Sequence, residues 1–385
     1  MFLDSHGKNE CCGCSACASI CPSHVINMQE DIEGFEYPVI VNEEACIHCD
    51  LCKKVCPIVN RNSDFKAPRC YMGWLENLNE RRLSTSGGAF IAIAEAAYRD
   101  GFEFFFGASY DSQGSVRHIG VQFEQVNTLR GTKYVQSSLK NIFVQVKKHL
   151  ENNKKVLFVG TPCQVAGLQN YVGNTLKEQL LTVSLVCHGV ASPAAFKKYC
   201  DEMGNEQHGK VNQVIFRDKK DGNLSNSSGY TTLVYEDGHR ESDAINPYTT
   251  TFGLGLMQRP SCSDCCFTTI YRESDLTIGD FWGIDDFQPE LSSELKEGIS
   301  LLLVHTKAGD SIISKLQGFH LVETPIEWAI NEKQPQLLHP HEKNIRRDRF
   351  LKNVLDKDIS FIKSARKEVF RWRVEKKVRS ILKKV

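Results

Sequence analysis

Two cysteine runs stand in register near the start of the chain: Cys11, Cys14, Cys17 and Cys21 before Pro22, and Cys46, Cys49, Cys52 and Cys56 before Pro57. Each reads C-x2-C-x2-C-x3-C-P, and the second repeats the first after 35 residues. This is the spacing of bacterial two-cluster ferredoxins, in which three cysteines of a run share one cubane and the fourth reaches across to the other. The expected ligand sets are Cys11, Cys14, Cys17 and Cys56 for one 4Fe–4S cluster, and Cys46, Cys49, Cys52 and Cys21 for the other. Pro22 and Pro57 stop the chain from continuing as helix past each crossing cysteine. Ser15, Ala16, Ala18 and Ser19 are small enough for backbone amides to approach the sulfurs. Structural zinc sites pair two CxxC units instead of four graded cysteines. Disulfides require an oxidising compartment. Cys12 lies out of register and reads as a spare thiol. A chain built on these runs is expected to move electrons one at a time.

At 385 residues there is room for two or three domains and a sizeable core. Lys plus Arg and Asp plus Glu both number 47, so no global field points to nucleic acid. The 16 cysteines are many for an intracellular chain and are naturally explained by metal sites. The opening MFLDSHGKNE is polar, without the apolar stretch of a signal peptide. No segment approaches the apolar length of a membrane span, and a cytoplasmic location is expected. Charge is uneven: from His341 to Val385 there are 16 Lys or Arg against 6 Asp or Glu. Ile359, Phe361, Ile362, Val369, Phe370, Trp372, Val374, Val378, Ile381 and Leu382 punctuate this tail in a broadly amphipathic helical pattern. It packs on the protein's own body or meets a membrane surface or an acidic partner.

The expected fold is an α+β dicluster ferredoxin module, then an α/β flavin- and iron-sulfur-binding domain, then a helical basic C-terminal tail. The boundaries fall at 1–62 for the module, 69–150 and 151–340 for the two parts of the main domain, and 341–385 for the tail. Residues 61–68 read as a linker, and 218–229 as a Gly/Ser/Asn-rich loop. Strands are expected at 35–41, 70–74, 102–108, 116–123, 155–159, 180–186 and 231–235, with a final one at 275–278. Ser84-Thr85-Ser86-Gly87-Gly88 opens a helix over 89–99, another spans about 139–151, and Ser192-Pro193 starts a third.

Two expected strands end in cysteine, at Cys163 and Cys187, and the carboxyl ends of strands are where open α/β sheets bind ligands. Cys262-Ser263-Asp264-Cys265-Cys266 adds a CxxC. Cys163, Cys187, Cys262 and Cys265 are therefore candidates for a third 4Fe–4S site, with Cys266 a rival to Cys265 and buried inert thiols the plain alternative. No nicotinamide fingerprint is present, because Gly253-Leu254-Gly255 does not continue into GxGxxG. Ser86-Gly87-Gly88 is a plausible phosphate seat at a helix start. Gly131-Thr132-Lys133-Tyr134-Val135-Gln136-Ser137 gathers a cation, a ring and an amide, either for a flavin or nucleotide phosphate or as a plain turn and strand.

STSGGAF at 84–90, GTKYVQS at 131–137, GTPCQVAGL at 160–168, VCHG at 186–189, RPSCSDC at 259–265 and SDLTIGDFWG at 274–283 occur in this order. The series resembles the beta-subunit family of coenzyme F-420 hydrogenases and dehydrogenases with a dicluster ferredoxin fused in front, over about residues 1–325. RPSCSDC followed by GDFWG is most similar to the bacterial branch associated with polysaccharide biosynthesis. The resemblance implies FAD and a 4Fe–4S cluster in the main domain, with Cys163, Cys187, Cys262 and Cys265 as its ligands. It also implies Ser86, Gly87, Gly88, Lys133, Tyr134 and Gln136 as neighbours of FAD, and Gly279 and Asp280 in the flavin or substrate pocket. The basic C-terminus lies outside it.

Iron–sulfur clusters exchange single electrons and a flavin can also exchange pairs. The expectation is an FAD- and 4Fe–4S-dependent oxidoreductase that passes electrons between a ferredoxin or other redox protein and a small organic substrate. The direction of flow is open, and His188 is near the site without a role assigned. The alternatives are an electron-transfer subunit with no substrate of its own, and a chain that has lost flavin and keeps its clusters for structure or sensing.

Overall fold

The computed structural model describes residues 7–61, 66–219 and 229–382. Parts of the expected 61–68 linker and 218–229 loop, and the chain's first and last residues, lie outside these.

The N-terminal module carries a two-stranded antiparallel sheet, β1 (Ile26–Glu30) and β2 (Glu36–Ile40). Its two cysteine runs share one backbone path. Gly13 and Ser15 adopt φ of 69° and 64°, and their counterparts 35 residues on, His48 and Asp50, adopt 52° and 56°. Each is followed by a one-turn helix, Ala16–Ile20 or Leu51–Lys54. The sequence repeat is thus also a repeat of left-handed turns, conformations that curl successive amides around an anionic group.

The main domain is built on one eight-stranded mixed sheet. Its strands are β3 (Arg69–Leu75), β4 (Phe104–Tyr110), β5 (Val116–Val121), β6 (Val156–Gly160), β7 (Leu180–Leu185), β11 (Leu276–Asp280), β12 (Ser300–Val304) and β13 (Phe319–Thr324), in the order β13-β3-β12-β11-β7-β6-β4-β5. The four central strands β11, β7, β6 and β4 are parallel, and antiparallel strands flank them. Strand alternation splits the core: Phe105 and Leu157 face one layer, Phe106 and Phe158 the other. Helix α1 (Ala89–Arg99) covers the first layer with a nearly continuous alanine and isoleucine face. Helices α2 (Ile142–Glu151) and α3 (Pro162–Val172) cover the second, where Cys14, Ala16 and Val55 of the module join them.

The sheet corrects one expectation. The strand near 275–278 is not the last, because β12 and β13 follow it and return to pair with β3. β12 reads Ser-Leu-Leu-Leu-Val, an apolar run buried on both faces, where periodicity cannot separate strand from helix. The two expected parts of the main domain, before and after residue 150, share this one sheet.

A second, antiparallel sheet of β8 (Val211–Asp218), β9 (Tyr230–Tyr235) and β10 (Arg240–Asp243) packs with α4 (Pro193–Met203) and α5 (Pro247–Gly253). Ser192 caps α4, its Oγ accepting from Ala195 N at 3.0 Å. The C-terminal region closes this core: Phe350, Leu351 and Val354 are buried in it. Helix α6 (Phe361–Leu382) adds Phe361 and Ala365 to it, and buries Val369 one turn further on. Beyond Val369 the helix offers Phe370, Val374 and Val378 as exposed residues. No described helix is long and apolar enough to cross a membrane.

Candidate redox site

The thiols of Cys11, Cys14, Cys17 and Cys56 lie near enough to act on one another's charge. Cys17 is pushed up to about 12, first by burial and then by Cys11 and Cys56. Cys56 is raised by burial, with Cys11 and Cys52 adding to it. Cys56 of the second run therefore stands among the thiols of the first. The module docks on α3, where Gly167 lets Cys14 approach the helix backbone: a Cβ there would lie 2.8 Å from Cys14 Sγ. Asn170 Nδ2 donates to the Val55 carbonyl at 3.3 Å, and Arg347 pairs with Glu33 from the far side.

A second thiol group lies at the carboxyl ends of the parallel strands. β6 ends at Gly160, and Thr161 and Pro162 start α3 so that Cys163 sits in its first turn, with Thr161 N donating to Gln164 Oε1 at 3.0 Å. β7 ends at Leu185 and leads into Cys187. Cys262 sits in the short 3-10 helix Pro260–Asp264, with Cys265 directly after it. Cys163, Cys187, Cys262 and Cys265 line one cavity of about 740 Å³ together with Cys12 and Cys266. Cys187, Cys262 and Cys265 are each raised to about 12, first by burial and then by one another and Cys163. Cys163 is raised by its contact with Cys12, and then by burial. Among the described residues no three metal-binding side chains close on a single-ion position; these thiols line a larger space. Their chemistry fits an iron–sulfur cluster, since buried thiols that oppose one another's ionisation become good thiolate ligands once iron supplies positive charge.

A second cavity, of about 490 Å³, adjoins the first: the Cys187–Val190 segment lines both spaces, together with Thr161, Gln164 and Gln336. Phe252 and Trp282 give it apolar faces, and Arg217 and Asp280, a bidentate pair, stand in its wall. Arg217 adopts φ 59°, at an irregularity of β8 against β9. Two lining glutamines carry polar atoms with no protein partner. Gln334 is fully buried; its Oε1 accepts from Trp282 N at 3.0 Å and its Nε2 has none. Gln336 Nε2 donates to His188 Nδ1, leaving Oε1 without one. Buried polar atoms are nearly always bonded, so such a pair beside an apolar space fits a cofactor with a polar edge. His118 and Ser137 also line this space, and Ser137 Oγ donates to His118 Nδ1 at 2.8 Å.

Of the residues marked from sequence, Ser86, Gly88, Lys133, Tyr134, Gly279 and Asp280 line the second cavity. Gly87 does not; it is wedged against the sheet, where a Cβ would lie 2.3 Å from the Gly73 carbonyl. Gln136 lines the thiol cavity instead. Lys133 lowers toward about 7 through burial, yet its Nζ donates to the carbonyls of Leu129, Arg130 and Gly131 at 3.0–3.1 Å. Three acceptors suit an ammonium, so Lys133 clamps its own turn. Sequence reasoning missed Gln334, Gln336, Arg217 and Arg259. Gln334 and Gln336 stand at the start of the short 3-10 helix Pro335–Leu337, whose local pattern gives no signal of a cavity.

Residues 10–59 match the 4Fe-4S dicluster domain, and residues 153–325 match the family described as the C terminus of the beta subunit of coenzyme F420 hydrogenase/dehydrogenase. Among solved structures, a chain of the F420-reducing [NiFe] hydrogenase complex from Methanosarcina barkeri is similar at 19% identity and a TM-score of 0.46, over 81% of this chain and 95% of that one. Comparison with curated proteins gives no match. The protein is an iron–sulfur electron-transfer protein related to these beta subunits. Residues 153–325 thus match the C-terminal domain of the coenzyme F420 hydrogenase/dehydrogenase beta-subunit family, behind a 4Fe-4S dicluster domain at residues 10–59.

Proposed function

We propose that this chain is an iron–sulfur flavoprotein oxidoreductase that joins ferredoxin-type one-electron carriers to a small organic substrate. Cys163, Cys187, Cys262 and Cys265 hold a third 4Fe–4S cluster, and FAD occupies the cavity behind Cys187. The observation that carries this reading is the shared wall: Cys187 to Val190 lines both the thiol cavity and the cavity of Gln334. FAD, when bound, exchanges electrons singly with clusters and in pairs with an organic molecule. Gln334 Nε2 and Gln336 Oε1 give its polar edge a donor and an acceptor, while Phe252 and Trp282 exclude water from its rings. Ser86 and Gly88, at the start of α1, suit the phosphates. The substrate class follows the family: coenzyme F-420 or an oxidised intermediate of polysaccharide biosynthesis.

The reading is tested with protein reconstituted anaerobically with iron, sulfide and FAD and reduced through a viologen dye. Reoxidation of the flavin by an added deazaflavin or nucleotide-linked sugar supports an enzyme. Reoxidation only by a second redox protein, which copurifies, would make the chain an electron-transfer subunit.

The exposed half of α6 carries Phe370, Val374 and Val378 beside Arg373, Lys376 and Lys377. We propose that it meets an anionic membrane surface through its cations, since over its whole length the helix does not gather its apolar residues on one face.

A further inference from the structure

Arg259 is a buried cation without an anion of its own. It is 1% exposed, and its Nε donates to the Cys11 carbonyl at 2.7 Å, Nη1 to Gln136 Oε1 at 2.8 Å and Nη2 to the Glu36 carbonyl at 3.0 Å. Its guanidinium lies 4.2 Å from the Tyr37 ring centroid and 5.3 Å from that of Phe35. All these partners are neutral. Among the described residues no carboxylate forms an ion pair with it; the Glu36 carboxylate is engaged by Ser138 at 2.9 Å and Lys140 at 3.7 Å. Arg347, beyond the module, has Glu33 as its carboxylate, whereas Arg272, 5% exposed in the wall of the same thiol cavity, donates to the Thr269 and Leu185 carbonyls; Arg259 is the one of the two that also holds the first thiol group. Burying a guanidinium unpaired is costly unless something else supplies negative charge.

That charge has two places to come from. On one side Arg259 grips the carbonyl of Cys11 in the first thiol group. On the other, its own carbonyl accepts from Cys262 N at 2.9 Å, at the start of the CxxC of the second group. Arg259 itself lines the cavity of that second group, beside Cys163 and Cys262. The packing is built around the guanidinium: a Cβ on Gly13, at φ +69°, would lie 2.7 Å from Nη1. None of its hydrogen bonds or ring contacts reaches Cys21, Cys46, Cys49 or Cys52.

We propose that Arg259 is the counter-cation shared by the cluster of Cys11, Cys14, Cys17 and Cys56 and the cluster of Cys163, Cys187, Cys262 and Cys265, and the brace that holds their ligand loops together. The proposal rests on reading the second thiol group as a cluster site. An added electron leaves a cluster one charge more negative, and a buried guanidinium beside it stabilises that state; nearby charge and hydrogen bonds are what tune such potentials. Arg259 is a positioning residue in this role, acting on the reacting centres through their loops.

The test is a redox titration followed by electron paramagnetic resonance on anaerobically reconstituted Arg259→Met, Arg259→Lys and Gln136→Glu proteins, with iron measured on each sample. In Arg259→Met two of three midpoint potentials move negative by at least a tenfold change in the one-electron equilibrium, about 59 mV, and the third stays. Arg259→Lys, which keeps the charge, recovers most of the shift. Gln136→Glu neutralises the cation without removing the brace and gives the same negative shift, so the answer survives if Arg259→Met fails to fold. Unchanged potentials in Gln136→Glu, or an equal shift of all three, overturn the proposal. Wild-type protein showing only two clusters sinks the third-cluster reading instead, recognisably so, because it precedes any comparison of variants.

Discussion

Replacing Gly167 with alanine separates a docked module from one that merely accompanies the main domain. On an exposed helix the change stabilises by about 1 kcal/mol, because glycine pays more backbone entropy than alanine. In α3 the new methyl carbon would lie 2.8 Å from Cys14 Sγ and 2.9 Å from Cys14 Cβ, whereas ordinary contact begins near 3.4 Å. Cys14 would have to retreat by at least the difference, and as the proposed ligand of a cluster it would give up iron in turning away. Overpacking of this kind costs about 1–3 kcal/mol, which cancels or outweighs the helical gain. Gly167→Ala should therefore fall by about 0–2 kcal/mol, seen as a lower midpoint in anaerobic denaturant titration, and should bind less iron per chain. A higher midpoint with full iron content would show that Cys14 does not rest on α3, and the docking would be refuted.

Cys187→Ser should lose about four irons while the dicluster signals persist, as read by iron analysis and electron paramagnetic resonance; loss of every cluster would point to misfolding instead. His118 is fully enclosed and depressed to about 4 by burial. The unfolded chain takes up this proton first as pH falls below about 6.5, so stability is complete above that value and declines toward pH 4 by about 3 kcal/mol. His118→Asn should flatten that slope in pH-dependent denaturation. Removing residues after Val369 should abolish cosedimentation with phosphatidylserine vesicles at low salt and leave the melting temperature within a few degrees; equal binding by the shortened protein would dismiss the membrane role.

What the sequence disclosed was local. The cysteine runs are legible because cluster ligation fixes spacing within a dozen residues, and the register of 35 reappears in the backbone at Gly13 and His48, and at Ser15 and Asp50. Helix α1 runs over the expected residues because Gly88 and Asp100 bound an unbroken apolar face. What it concealed was pairing at long range. β3 lies between β12 and β13, more than 200 residues on, and no local pattern announces such partners. Cys12 looked spare beside an ordered run, yet its thiol contacts both Cys14 and Cys163 and so lies between the two groups. Arg259 looked like the residue before a CxxC; its buried cation touching Cys11 is visible only once residues 248 positions apart are brought together.

The central claim is that two thiol groups of the ferredoxin module, a third in the main domain and a flavin cavity form one redox unit. The most direct measurement is anaerobic purification with iron, sulfide and released flavin quantified on a single sample. The account predicts about twelve irons and one FAD per chain. About eight irons and no flavin would leave the ferredoxin module alone and contradict it.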